Sequence, residues 1–150
     1  TDLKSQIEAG SDIKIFMTVI TDGQDTASRE YNNDAIKTAI EGLKQDEESS
    51  PWTLSLVGAN IDAVTTGGGF GMRAGMSTNF DANAVGTQSA FNTMRATRGT
   101  YSKGLAAGYS KFETDQLVAH TSSVGRDLDD SEMDEFVKNL RDQDDSKASD

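Results

Sequence analysis

The sequence predicts an α/β fold, in which a mostly parallel sheet with flanking helices is followed by a C-terminal helix and an acidic tail. Two apolar segments, IKIFMTVI (13–20) and WTLSLVGA (52–59), have the length and β-branched content of strands that are covered on both faces. The segment that begins at Asn33 repeats apolar residues at helical spacing. A strand, a helix and a strand in this order are typical of a βαβ unit with parallel strands.

Shorter patterns predict the other elements of the N-terminal half. Residues 3–9 are expected to form a short helix that ends at Gly10, since glycine is common just after a helix. Asn33 is the expected N-cap of the helix between the two strands. A helical turn and a flexible glycine loop are expected over 60–72, and a third strand near 76–80. The apolar stripe of the middle helix consists of Ala35, Ile36, Ala39, Ile40 and Leu43.

Two helices are predicted in the C-terminal half. One lies within 83–98, and the other spans 130–141 and begins near Asp129 or Asp130, where the helix dipole favours negative charge. Residues 105–128 contain too few periodic apolar positions to be assigned. The residues expected to face the sheet are Val85, Ala90, Phe91 and Met94, and those expected to be buried by the last helix are Met133, Phe136, Val137 and Leu140.

Length and charge limit the classes of function. The 150 residues fit one domain, which we place at 1–142, with a disordered acidic tail at 143–150. There are 25 acidic and 14 basic residues, and the resulting net charge of −11 repels nucleic acids and anionic membrane surfaces. The chain has no cysteine and no apolar run of the roughly 20 residues that span a bilayer. We therefore expect a cytoplasmic protein that binds neither nucleic acid nor membranes.

Polar residues follow both central strands. Thr21, Asp22 and Asp25 come directly after the first strand, and Asn60 and Asp62 follow the second. Ligands of open α/β sheets collect at the carboxyl ends of the strands, and oxygen donors suit Mg²⁺. The first three residues are therefore candidate magnesium ligands and the other two are candidate partner-binding residues. The alternative is an ordinary Asp-Gly turn with no ligand.

The motifs resemble a known family. IFMTVITDGQDTASREY, an amphipathic helix, WTLSLVGANIDA, a glycine-rich loop and NFDANAVGTQSAFNTMRATRGTYSKG occur in the order found in the second half of von Willebrand factor A-like (VWA) domains. The similarity covers about residues 12–104 and is greatest to the small intracellular versions of bacteria and their phages. It implies a Rossmann-like, doubly wound sheet with a metal-ion-dependent adhesion site, to which Asp22 contributes.

One part of the family pattern is missing. The adhesion site is anchored by an Asp-x-Ser-x-Ser turn, which residues 1–150 do not contain, and Thr1 only resembles the surroundings of a third ligand. In the family, the strand at 13–20 lies beside the strand that carries this turn. Its open edge is therefore expected to be covered by an absent N-terminal half, by a partner or second copy, or by another segment of a reduced fold.

The resemblance implies a protein-interaction module and not an enzyme. A magnesium ion at Asp22 would leave a coordination position for an acidic side chain of the partner. The alternative is a phage or phage-like assembly protein that uses the half-sheet for oligomerisation without metal. Either function implies a protein partner or self-association, in the cytoplasm of a bacterial or phage-infected cell or in a virion. No catalytic residue is predicted, because the single histidine, His120, has no serine in a nucleophile elbow to activate.

Overall fold

The computed structural model describes residues 2–10, 12–23, 29–43, 48–73 and 75–149, without the side chain of Lys4. These residues form three strands and six helices, and the α/β class predicted from the sequence is confirmed. The chain divides into two compact units, Thr1–Ala82 and Asn83–Asp150. The predicted single domain over 1–142 extends across this division and stays a prediction.

The first unit contains a parallel three-stranded sheet in the order β1-β2-β3. Strand β1 (Ile15–Thr21) pairs with β2 (Trp52–Gly58) from its first residue to its last, and β2 pairs with the short β3 (Ser77–Asn79). Helix α1 (Leu3–Glu8) precedes β1, and α2 (Asn33–Leu43) connects β1 to β2. The predicted strand–helix–strand unit is thus present, because the two apolar segments are parallel neighbours in the sheet and α2 connects them.

The N-cap of helix α2 lies one residue earlier in the sequence than predicted. The Asn32 side chain accepts a hydrogen bond from the Ala35 backbone N–H at 2.8 Å, so Asn32 and not Asn33 caps the helix. Of the predicted stripe, only Ile36 and Ile40 are half-buried. The core of this unit is built on β2 and consists of Leu54, Leu56, Ala63 and Met72, with Ile40, Trp52 and Ile61 packed against them.

Helix α3 (Ala63–Gly69) replaces part of the predicted glycine loop. Gly67 allows the helix to approach the sheet closely, since a Cβ atom there would overlap the side chain of Ser77 at the start of β3. The loop prediction for Gly67, Gly68 and Gly69 is therefore wrong, because the helix includes all three and the small size of Gly67 is used in packing.

The second unit consists of three helices, α4 (Ala84–Ala106), α5 (Lys111–Val124) and α6 (Asp130–Ala148). Helix α4 is longer than predicted, α5 lies in the unassigned segment, and α6 continues through Ala148 into the predicted disordered tail. Val85 and Phe91 are exposed, contrary to their predicted burial. The core of this unit consists of Leu117, Leu128, Met133 and Val137, with Tyr109 and Phe136 packed against them.

Small and hydroxylated residues line the contact between α4 and α5. A Cβ atom at Gly104 of α4 would lie 2.9 Å from Cγ2 of Thr114 in α5, so the two helices approach closely there. The hydroxyls of Thr100 and Thr121 form a buried hydrogen bond of 2.8 Å between the same helices. Because few large apolar residues take part, this contact leaves a weak hydrophobic pattern in the sequence.

Candidate functional site

The carboxyl ends of β1 and β2 bring three of the predicted site residues together. The backbone N–H of Ala59 donates to the Thr21 carbonyl at 2.9 Å, which extends the β1–β2 pairing by one step. The two chain segments stay in contact beyond the strands, since Asn60 Nδ2 donates to the Asp22 carbonyl at 3.0 Å. Asn60 has a left-handed backbone with a φ of 57°, which asparagine tolerates better than most residues. Thr21, Asp22 and Asn60 therefore share one edge of the sheet.

The Thr-Asp-Gly turn is closed by its own threonine. The Thr21 hydroxyl donates to the carbonyl of Gly23 at 2.8 Å, and the same oxygen lies 3.4 Å from the Gly23 backbone nitrogen. The Asp22 side chain is exposed and makes no hydrogen bond or ion pair within the part of the chain that the structure describes. The Asp22 carboxylate is thus exposed to solvent, and the Thr21 hydroxyl is occupied by a hydrogen bond within the turn.

Asp62, a predicted partner-binding residue, caps α3. One carboxylate oxygen accepts from the Thr65 backbone N–H at 3.1 Å, and the other accepts from the Thr65 hydroxyl at 2.6 Å. The hydroxyl bond, followed by the backbone bond, lowers the pKa of the Asp62 carboxyl below its ordinary value of 3.8. Both oxygens have a structural role, so the arrangement favours a helix cap over a contact with a partner.

Sequence reasoning missed Asn79, the last residue of β3. Its side-chain oxygen accepts from the Ala63 backbone N–H at 2.9 Å, next to the Asp62 cap. The following residue, Phe80, donates its backbone N–H to the Gly58 carbonyl at 2.9 Å. The polar residue at the end of a predicted third strand was the available signal, because such strand ends meet at the same edge.

At this edge the fold engages several of the oxygen donors that were predicted to bind magnesium or a partner. Mg²⁺ requires six oxygen ligands in near-octahedral geometry and is usually held by one or two carboxylates. The Thr21 hydroxyl and both Asp62 oxygens are engaged in the fold, so among the predicted site residues that the structure describes, Asp22 keeps an unengaged carboxylate. Asp25, the third predicted ligand, lies outside the described residues. Among the residues that are described, no group of three or more His, Cys, Asp or Glu side chains is placed to hold a metal ion.

Strand β1 presents a second candidate surface. It lies at the edge of the described sheet, with β2 on one side only. Met17, Val19 and Ile20 are 37%, 40% and 51% exposed. Because successive side chains alternate between faces, Met17 and Val19 lie on one face and Ile20 on the other. The strand is therefore apolar and partly exposed on both faces, although its sequence predicted a strand covered on both.

The backbone at the outer edge of β1 also follows from the pairing. Ile15 donates its N–H to Pro51 and Thr21 accepts from Ala59, so the odd-numbered residues of β1 point their backbone groups toward β2. Thr18 and Ile20 consequently point their N–H and C=O groups away from β2. Neither residue has a backbone partner on that side among the described residues. This edge can accept another strand.

His120 lies in the second unit, where its ring stacks on Phe136 with centroids 4.7 Å apart and an angle of 17° between the planes. The imidazole of His120 is therefore packed against a residue that borders the core of the second unit.

Within the described residues, none of the helices has both the length and the apolar character that crossing a membrane requires. Membership of the VWA family stays a prediction, made from the motifs in residues 12–104. No family model, curated protein or solved structure matches this chain.

Proposed function

We propose that this chain is a protein-interaction module of VWA type that binds its partner along the β1 edge. The exposure of Met17, Val19 and Ile20 on a strand with outward-pointing backbone groups carries this proposal. A partner strand would hydrogen-bond to the edge and cover these side chains, as in other complexes formed by strand addition.

The apolar surface of β1 supplies a driving force for binding. Fully burying a large aliphatic side chain contributes about 1.5–3 kcal/mol. The three side chains are 37–51% exposed, so complete burial of their exposed surface would contribute at most roughly 2–4 kcal/mol before the cost of association. Backbone hydrogen bonds to Thr18 and Ile20 would add to this sum and define the direction of the added strand.

Magnesium is not part of the proposed binding mode. The resemblance to VWA domains implies a metal-dependent contact, but the hydroxyl of Thr21, one of the predicted magnesium ligands, is engaged in a hydrogen bond within the turn. The β1 edge needs no ion, because its backbone groups and apolar side chains already suit a peptide strand. Among the sequence-based alternatives, the geometry therefore favours the one in which the half-sheet is the binding surface.

Site-specific photocrosslinking tests this proposal. A benzoylphenylalanine replaces Ile20 in cells that naturally produce the chain, and a matched variant carries it at Val64, which is 59% exposed on α3 in the same unit. We expect a defined adduct from position 20 and none from position 64, with the mass of the adduct identifying the partner. Absence of any adduct from position 20, or equal adducts from both positions, would refute binding at the β1 edge.

A further inference from the structure

We propose that the strand added to β1 is β1 of a second copy, antiparallel and related by a twofold axis at Thr18, with Lys14 of each copy opposite Asp22 of the other. This inference rests on the proposed function and names its partner. It follows from three observations: the order of the side chains in β1, the direction of the Thr18 and Ile20 backbone groups, and the charges of the flanking residues Lys14 and Asp22.

The side chains of β1 are nearly symmetric about Thr18. In an antiparallel pairing centred there, Phe16 faces Ile20 of the other copy and Met17 faces Val19. Each of these four apolar residues thus meets an apolar residue on its own face of the sheet, whereas Ile15 faces Thr21. Apolar cross-strand pairs stabilise antiparallel strands. The residues exposed in one copy, Met17, Val19 and Ile20, are all among those that gain a cross-strand neighbour in this pairing.

The backbone suits the same register. Thr18 points its N–H and C=O groups away from β2, so two Thr18 residues on the axis would exchange both hydrogen bonds. Twofold symmetry uses the same edge of both copies and closes the assembly, which is the commonest arrangement of protein dimers. The result is a six-stranded sheet in the order β3-β2-β1-β1-β2-β3, in which neither β1 strand remains an edge.

The charges select the direction of pairing. No residue of β1 from Ile15 to Thr21 is charged, and the flanking residues Lys14 and Asp22 are exposed and opposite in sign. Antiparallel pairing about Thr18 places each lysine opposite an aspartate, whereas parallel pairing would bring the two lysine ends together and the two aspartate ends together. In one copy Lys14 lies 3.5 Å from Asp12, whose side chain is 93% exposed. An ion pair this exposed contributes little, so Lys14 is available to Asp22 of the second copy.

The oligomeric state of the purified chain and of its charge variants tests the inference. We expect sedimentation velocity to show a concentration-dependent dimer, and Lys14→Asp and Asp22→Lys each to weaken it. Two symmetry-related pairs change in each variant, which corresponds to an increase in Kd of about 2- to 30-fold. The double variant Lys14→Asp/Asp22→Lys should restore the original Kd to within about twofold, since it restores opposite charges across the interface.

General repulsion between acidic chains predicts a different pattern. Lys14→Asp changes the net charge from −11 to −13 and Asp22→Lys changes it from −11 to −9. If only net charge mattered, the first variant would weaken association and the second would strengthen it. Weakening by both variants, with recovery in the double variant, is expected only if the two residues face each other.

Ile20→Lys and Val64→Lys make the same charge change on and off the proposed interface. Only Ile20→Lys should dissociate the dimer, with circular dichroism confirming that both variants are folded. A dimer that persists in Ile20→Lys, or one without recovery in the charge-swapped variant, would overturn the inference. A monomer whose position 20 crosslinks to a different protein would also overturn it and leave the proposed function standing. A monomer with no adduct would refute both.

Discussion

Replacing Gly104 with alanine tests how closely α4 and α5 pack. The new Cβ atom would lie 2.9 Å from Cγ2 and 3.0 Å from Oγ1 of Thr114. Thr114 has no exposed surface, and its short branched side chain has few rotamers through which it could move away. The substitution therefore forces the two helices apart or displaces Thr114 within the core.

The expected cost combines two opposing effects. Inserting a methyl group into a well-packed contact destabilises a protein by about 1–3 kcal/mol, whereas glycine to alanine within a helix stabilises it by up to about 1 kcal/mol. Gly99 lies in the same helix, and a Cβ atom there would meet nothing closer than the Asp127 carboxylate at 4.0 Å. Gly99→Ala should thus stabilise the protein, and the difference between the two variants gives the packing cost of about 1–3 kcal/mol.

Urea unfolding monitored by circular dichroism measures both variants. Thr114→Ala removes the two atoms nearest to the new methyl group, so combining it with Gly104→Ala should cost less than the sum of the single changes by at least about 1 kcal/mol. The reasoning fails if Gly104→Ala raises the free energy of unfolding as much as Gly99→Ala does. It also fails if the effects of Gly104→Ala and Thr114→Ala are additive.

The buried hydroxyl pair predicts that Thr121→Val lowers the free energy of unfolding by about 1–3 kcal/mol, because Thr100 then loses its partner. Adding Thr100→Val should recover part of this loss in urea unfolding, and an additive second loss would contradict the pairing. The hydrogen bond from Arg126 lowers the pKa of Glu132 from 4.5 to about 2, so its contribution to stability is complete above pH 4.5 and is lost as the pH falls toward 2. NMR titration should show a higher pKa of Glu132 in Arg126→Gln, and an unchanged pKa would refute the ion pair. Calorimetric titration with Mg²⁺ should show no saturable site, whereas an isotherm that Asp22→Ala abolishes would show that a site exists.

The elements with large apolar residues could be predicted from the sequence. Both long strands are nearly continuous apolar segments, and the helix between them and the stripe of α6 around Met133 and Val137 repeat apolar residues at helical spacing. Helix α5 could not be assigned, because part of its buried face consists of Thr114, Asp115 and Thr121. Polar residues of this kind are buried only when particular partners are present, and a periodicity of apolar residues does not detect them.

The position of the candidate site could be predicted, but not the use of its atoms. The ends of parallel strands necessarily converge, which places Thr21 and Asp22 beside Asn60. Whether Asp62 binds a ligand or caps a helix depends on where α3 begins, and a shift of one or two residues would free its carboxylate. The exposure of β1 could not be predicted from the sequence either. An apolar strand in the middle of a sheet and an apolar strand that another chain covers have the same composition.

The magnesium prediction and the proposed pairing assign different roles to the same carboxylate. The sheet edge engages the Thr21 hydroxyl and the Asp62 oxygens within the fold, and a single carboxylate leaves nearly all of the coordination shell of Mg²⁺ to water. An exposed Asp22 at the end of an uncharged strand instead complements Lys14 at the other end, in a contact that needs two copies and no ion. The charge-swapped variant Lys14→Asp/Asp22→Lys separates the two roles, since lysine at position 22 cannot hold a cation but can still pair across the dimer. Retention of the dimer in that variant would assign Asp22 to pairing, whereas its loss together with a magnesium isotherm in the unmodified chain would assign Asp22 to a metal.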